Sequence, residues 1–167
     1  RISANEYKDC TKLPIVVVLD NVRSANNVGS VFRTSDAFLI DSIYLCGITC
    51  TPPHKDIQKT ALGAQLSVPW HYKNTTQEAI NQLKEEGYII ISIEQVYEST
   101  FLQNASIIPN NKYALVFGNE VYGVDSEIVA QSDMCIEIPQ LGTKHSFNVS
   151  VTCGIVLWEF SKNLTCL

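Results

Sequence analysis

Five short runs of apolar, mostly β-branched or aromatic residues punctuate the chain, and stretches with helical periodicity separate them. The runs are "IVVVLD" (15–20), "SIYLCG" (42–47), "YIIISIE" (88–94), "YALVFG" (113–118) and "MCIEIP" (134–139). A strand that is apolar at successive positions leaves no face for water, so it belongs inside a parallel sheet with helices on both sides. The segments between supply the helices: "NVGSVFRTSDAFLI", "TQEAINQLKEEG", "DSEIVAQS" and "FNVSVTCGIVLWEFSKN". Gly87 is placed to stop the second, and Asp125 suits the N-cap of the third. The pattern predicts a single α/β domain over residues 13–167 with a mostly parallel sheet flanked by helices, after a short extension over 1–12.

Composition narrows the function classes. With 167 residues, 46% hydrophobic and 17% charged, the chain has the makings of one good core. "PIVVVL" is far too short to span a bilayer, and "RISANEYKDC" carries no apolar targeting stretch, so a cytoplasmic protein without membrane partners is expected. Of the six cysteines (Cys10, Cys46, Cys50, Cys135, Cys153 and Cys166), four lie in apolar runs. The one close pair, Cys46 and Cys50, has no matching pair elsewhere, so buried reduced thiols are expected rather than a disulfide framework or a metal site. A formal net charge of -5 argues against a broad nonspecific nucleic-acid surface but not against a local basic patch.

Ligands of such sheets sit beyond the carboxyl ends of the strands, and three strand-to-helix loops there are richer than turns require. "LDNVRSANNVGSVFRTSDA" leads through three asparagines into a helix carrying Gly29 and Arg33. "VFGNEVYGVD" brackets Asn119 and Glu120 between Gly118 and Gly123. "IPQLGTKHSFNVSV" packs a lysine, a histidine, three serine or asparagine side chains and a glycine into one connection. Neither G-x-G-x-x-G nor G-x-x-x-x-G-K-[ST] occurs, so no dinucleotide or P-loop nucleotide is signalled. Glu120, His145 and Ser146 have the residue types of a hydrolytic triad, but neighbours in sequence rarely aim at one another and no G-x-S-x-G elbow presents the serine.

Each feature has a plainer explanation. Gly29 serves close helix packing, Arg33 pairs with Asp36 or reaches solvent, Glu120 caps a helix, and Ser146 and Asn148 satisfy backbone groups. Their joint occurrence at three strand ends weighs against all of these at once.

The three loops together resemble the motifs of the SpoU (TrmH-type) family of SPOUT RNA methyltransferases. Asn27, Gly29 and Arg33 followed by "RTSDA" match the first motif; Gly118, Glu120 and Gly123 match the second. Ile138, Pro139, Gly142, Ser146, Asn148 and "VSV" match the third, with Gln140 and Phe147 standing where methionine and leucine are usual. "KTALGAQLSVPW" is similar to the family's segment before the third strand, and the likeness runs from about Leu13 to Lys162.

The resemblance implies S-adenosyl-L-methionine-dependent 2′-O-methylation of ribose in tRNA or rRNA, a deep C-terminal trefoil knot, and a homodimer; the last helix, apolar on more than one face, is expected at its interface with the first. Pattern reasoning alone would bet against a knot. No metal is implied, since in-line methyl transfer from a sulfonium is mainly a matter of positioning. The catalytic set is then Arg33, Asn27, Glu120, Ser146 and Asn148, with Asn27, Ser146 and Asn148 orienting Arg33 and the ribose hydroxyl by hydrogen bonds, and Glu120 holding Asn27 or Arg33. Ile138, Leu141 and Phe147 flank the adenine, and Gly118 lets the cofactor approach the strand end, so Gly118→Val is expected to fold normally and lose the cofactor. RNA contacts fall to Arg23, Arg33, Lys55, Lys59, Lys144 and His145, a small set that favours compact tRNA over a large ribosomal site. A non-catalytic RNA- or partner-binding module, or a small-molecule methyltransferase on the same fold, remains the alternative.

Overall fold

The computed structural model describes residues 2–165, so Cys166 lies outside the described residues. Its seven strands form one sheet in the order β3-β2-β1-β6-β4-β7-β5, with every pairing between strands parallel. The strands are β1 (Leu13–Asp20), β2 (Ile40–Cys46), β3 (Trp70–Lys73), β4 (Tyr88–Ile93), β5 (Thr100–Phe101), β6 (Lys112–Phe117) and β7 (Met134–Glu137). The helices are α1 (Ala4–Asp9), α2 (Ala25–Ala37), α3 (Lys55–Ala61), α4 (Thr76–Glu85), α5 (Ser126–Gln131) and α6 (Val149–Leu164). All five strands expected from the sequence are present, but β3 and β5 add to them, α3 fills the stretch after β2, and the supposed extension contains α1. A capping box between Ser3 and Glu6 starts α1.

The continuous apolar runs are explained by two cores. Ile15, Val17 and Leu19 of β1 face one layer with Val31 and Phe32 of α2 and Val156, Leu157 and Phe160 of α6. Val16 and Val18 face the other, with Ala79, Ile80 and Leu83 of α4 and Ile128 of α5. Alternation along a strand thus sends successive valines into opposite layers, and no residue of Ile15–Asp20 is left to solvent.

Gly29 fulfils its plainer explanation. A Cβ there would collide with the backbone of Ile57 and the hydroxyl of Thr60, so the glycine is what lets α2 and α3 touch. Thr60 uses that proximity to donate to the Asn26 carbonyl at 2.8 Å.

Among the described cysteines all thiols are free, but only Cys46 and Cys153 are buried, whereas Cys10, Cys50 and Cys135 are half-buried. Burial pushes the Cys46 thiol up to about 12, far from the thiolate a nucleophile needs. No helix among the described residues is long and apolar enough to cross a membrane.

Candidate active site

The carboxyl ends of β6, β4 and β7 are contiguous in the sheet, and the loops leaving them line a cavity of about 470 Å³. Its floor is Ile93, Phe117, Gly118 and Ile136, and its walls include Glu94, Glu120, Tyr122, Glu137, Ile138 and the segment His145–Asn148. That volume lies within the range of small-molecule sites, about 300–1,000 Å³.

A chain of hydrogen bonds ties the three sequence loops together beside the cavity. The Asn148 amide donates to Asn27 Oδ1 at 3.1 Å, and the Asn27 amide donates to Glu120 Oε1 at 3.2 Å. Glu120 also accepts the backbone N–H of Arg23 at 2.9 Å and of Ser24 at 3.0 Å. Asn148 completes the arrangement as the N-cap of α6, accepting from the amides of Ser150 and Val151. Residues 93 and 121 apart in sequence are thereby fixed relative to one another within a single chain.

Burial pushes the Glu120 carboxyl up, but the N–H groups of Arg23, Ser24 and its own residue, together with the Asn27 amide, outweigh it and hold the pKa below the ordinary glutamate value. The folded value therefore lies below the unfolded one, about 4.3. The sign follows: the clamp adds stability above that pH and loses it as pH falls through the lowered folded value. Glu120→Gln is expected to be less stable than the parent at neutral pH, with the gap closing on acidification. Denaturant unfolding of both proteins across the acid range measures this, and a gap independent of pH would contradict it.

Arg33 stands apart from the clamp. It is exposed, and among the described residues it forms no hydrogen bond or ion pair, neither with Asp36 nor with Asn27, Ser146 or Asn148, so the expected orientation of Arg33 by those side chains is absent. Ser146 lines the cavity without a hydrogen-bond partner among the described residues. Ile138 and Phe147 line the cavity, whereas Leu141 is fully exposed and lines none of it. His145 joins the wall, whereas Lys55 and Lys59 project from α3 and Lys144 from the last loop, all exposed. Arg23, Ser24 and Glu120 line a second, shallower hollow of about 380 Å³, so Glu120 borders both.

Gly118 requires a correction. A Cβ at this position would overlap the backbone of Gly123 and Val124, so its missing side chain makes room for the protein's own chain. The same strand ends carry acidic groups that the sequence reading passed over. Glu94 accepts the N–H of Val124 at 2.8 Å and of Gln95 at 3.0 Å, and Asp20, buried, accepts from Asp125 N–H at 2.8 Å and from the Thr76 hydroxyl at 2.6 Å. "IEQ" at the end of the third run was the available signal: a carboxylate at a strand's carboxyl end. No group of three or more His, Cys, Asp or Glu among the described residues is placed to hold a metal ion.

The model of the SpoU rRNA Methylase family matches residues 14–158. The chain belongs to this family. Its match spans every element from β1 into α6 and all three loops of the clamp. Among relatives, the chain is 31% identical over 146 residues to the 23S rRNA (guanosine-2'-O-)-methyltransferase RlmB of Neisseria meningitidis, covering 87% of this chain and 57% of that protein. It is 27% identical over 150 residues to the tRNA (guanosine(18)-2'-O)-methyltransferase of Borreliella burgdorferi, covering 90% and 67% respectively. The fold is similar to that of an AdoMet-bound rRNA methyltransferase from Sinorhizobium meliloti, with a TM-score of 0.85, 25% identity and coverage of 95% of this chain and 60% of that one. It is likewise similar to the A. aeolicus TrmH/SpoU tRNA modifying enzyme, with a TM-score of 0.84, 26% identity and coverage of 96% and 81%.

Proposed function

We propose that the chain carries an S-adenosyl-L-methionine-dependent RNA 2′-O-ribose methyltransferase activity. The observation that carries this reading is the clamp: the second and third family loops line one cavity, and the first is tied to both through Asn27, hydrogen-bonded to Glu120 and Asn148. The cavity also suits the cofactor's charge. Glu94, Glu120 and Glu137 line it and, among the described residues, no lysine or arginine does, which favours a ligand bearing a sulfonium and an ammonium. Ile138 and Phe147 offer apolar walls for the adenine, and the backbone of residues 138–147 offers polar groups to orient it. When bound, S-adenosylmethionine would supply an electrophilic methyl group on a positively charged sulfonium, whose sulfur would leave as the neutral thioether.

The chain's own residues then have to position a ribose. Glu120 fixes Asn27, Asn27 in turn holds the Asn148 amide, and Asn148 and Ser146 present polar groups on the cavity wall. Arg33 forks onto a phosphate of the RNA, because a guanidinium with a pKa above ~12 is a poor base but a good bidentate donor. A phosphate oxygen held this way, or a water on it, takes the 2′-hydroxyl proton. Among RNA classes we favour tRNA: the exposed cations Arg23, Arg33, Lys59 and Lys144, with His145, form a small set suited to a compact target.

Dimerisation belongs to the same reading. On α6, Val149, Cys153, Val156, Leu157 and Phe160 are buried, yet Val151 and Trp158 on the outer side are 50% and 54% exposed. Trp158 lies against Phe38 at the end of α2, with ring centroids 6.4 Å apart, so the exposed apolar surface is shared by both helices. A second copy covers it in this reading. Sedimentation is expected to give a dimer that Trp158→Glu dissociates; a stable, active monomer at micromolar concentration would refute it. The return of the chain from β7, beyond β4 and β6, to Asn27 at the head of α2 is in keeping with a trefoil knot.

The activity is tested by incubating the protein with methyl-labelled S-adenosylmethionine and RNA from cells lacking it. Label is expected in ribose 2′-O-methyl nucleosides, and mapping identifies the position. Label in base methyl groups or in small molecules, or none in RNA, would overturn the reading.

A further inference from the structure

We propose that Tyr122 is a stacking platform for a nucleobase of the bound RNA, an inference that rests on the RNA methyltransferase reading. Tyr122 lines the cavity on the loop after β6, yet its side chain is 86% exposed and has no hydrogen-bond partner among the described residues. An exposed tyrosine on a mobile loop would mean little. This loop is pinned on every side. Asn119 and Gly123 exchange two backbone hydrogen bonds of 2.9 Å, and Asn119 Oδ1 accepts the N–H of Val121 at 2.8 Å and of Tyr122 at 3.1 Å. The Asn119 amide donates to the Asn21 carbonyl at 2.7 Å, and Glu120 is held by the amides of Arg23 and Ser24. The backbone that carries the ring is thus held in place, so the entropy cost of ordering it has been met before any ligand arrives.

Two further features point to a nucleobase as the occupant. Glu120, two residues before Tyr122, borders the second hollow, where Arg23 is exposed and without an ion-pair partner among the described residues. An exposed cation on the segment that Glu120 binds, together with an exposed aromatic ring on the loop carrying Glu120, supplies the two kinds of group that single-stranded nucleic acid engages, phosphate on the cation and base on the ring. The overall charge adds a reason. A chain of net charge -5 gains little from long-range attraction to a polyanion, so base stacking, which does not depend on charge, gains in weight.

The test titrates a fluorescent, mixed-sequence single-stranded RNA oligonucleotide into the protein in S-adenosylhomocysteine, at several salt concentrations. Tyr122→Ala is expected to weaken binding roughly five- to 150-fold. Tyr122→Phe and Tyr122→Trp should bind as the parent does, and an oligonucleotide with abasic sites should erase the difference. The salt slope should be unchanged in Tyr122→Ala, whereas Arg23→Ala should lower it by about one. Parent-like RNA binding by the alanine variant overturns the proposal, as does an equal loss in Tyr122→Phe, which would point to the hydroxyl. Weakened cofactor binding in calorimetry would assign the ring to the cofactor, and dissociation of a dimer in sedimentation would assign it to a second copy. If the parent binds RNA through Tyr122 but transfers no methyl group, the enzymatic reading falls and the platform stands. If it methylates RNA with a KM that Tyr122→Ala does not raise, the platform alone falls. Failure of the parent to bind any RNA removes both.

Discussion

Arg33→Ala is expected to lower methyl transfer to RNA by at least roughly a hundredfold, the loss typical of a deleted transition-state donor, while leaving cofactor affinity and melting temperature unchanged. The insensitivity of the fold follows from exposure: the side chain makes no hydrogen bond or ion pair among the described residues, so truncation orphans no buried group. Indifference to cofactor follows from position. Six residues along α2, about 9 Å of rise, separate Arg33 from Asn27, and Arg33 is not part of the cavity wall. What remains for it is the RNA. Arg33→Lys should fail nearly as badly, because an ammonium keeps the charge but not the planar fork that fixes a phosphate in one orientation. Single-turnover rates with saturating cofactor, alongside calorimetry on the same proteins, separate the two effects. A lysine variant as fast as the parent would sink the fork, and an alanine variant that no longer binds S-adenosylmethionine would move Arg33 into the cavity.

The sequence disclosed some parts of this architecture and hid others for physical reasons. Strands buried on both faces, such as "IVVVLD" and "YALVFG", are readable because burial leaves them no polar position. β3, "WHYK", sits at the sheet edge with His71 and Tyr72 exposed, so it lacks both the apolar run and the alternation that mark a strand. β5 is two residues long, below any periodicity. α1 could have been found from Ser3-x-x-Glu6, a capping box spelled in the sequence. At the site, Asn27, Glu120 and Asn148 were legible as motif positions, and their hydrogen bonds do converge. Glu120 was expected on Asn27 or Arg33; that it holds Asn27 and two backbone amides and leaves Arg33 free was not legible, since it depends on where the head of α2 meets the loop after β6. Glycines were the least legible of all. A sequence shows that a side chain is missing but not which neighbour needs the space, and for Gly29 that neighbour is 28 residues away in Ile57.

Gly118 is where that difference has its largest consequence: Gly118→Val is expected to fail by unfolding before it fails by losing its ligand. The Cβ of any residue at 118 would occupy the position of the Gly123 and Val124 backbone, and that backbone has little freedom to withdraw. Gly123 is paired with Asn119, Val124 N–H is bound to Glu94 at 2.8 Å, and Asp125 N–H is bound to the buried Asp20 at 2.8 Å. Retreat would break hydrogen bonds to two carboxylates, and one of these would be left buried with an acceptor unmet. Overpacking in a core that can adjust costs about 1–3 kcal/mol, and here the obstacle is hydrogen-bonded backbone, so the upper end or beyond is expected. For a domain of this size that corresponds to a fall in melting temperature on the order of 10 °C. Gly142→Ala is the control, because nothing lies within 4 Å of the Cβ it would introduce, and it should melt with the parent. Thermal unfolding of the three proteins, with calorimetric titration of each below its transition, decides the matter. A Gly118→Val protein that melts with the parent yet no longer takes up S-adenosylmethionine would show the strand end opening toward the cofactor instead.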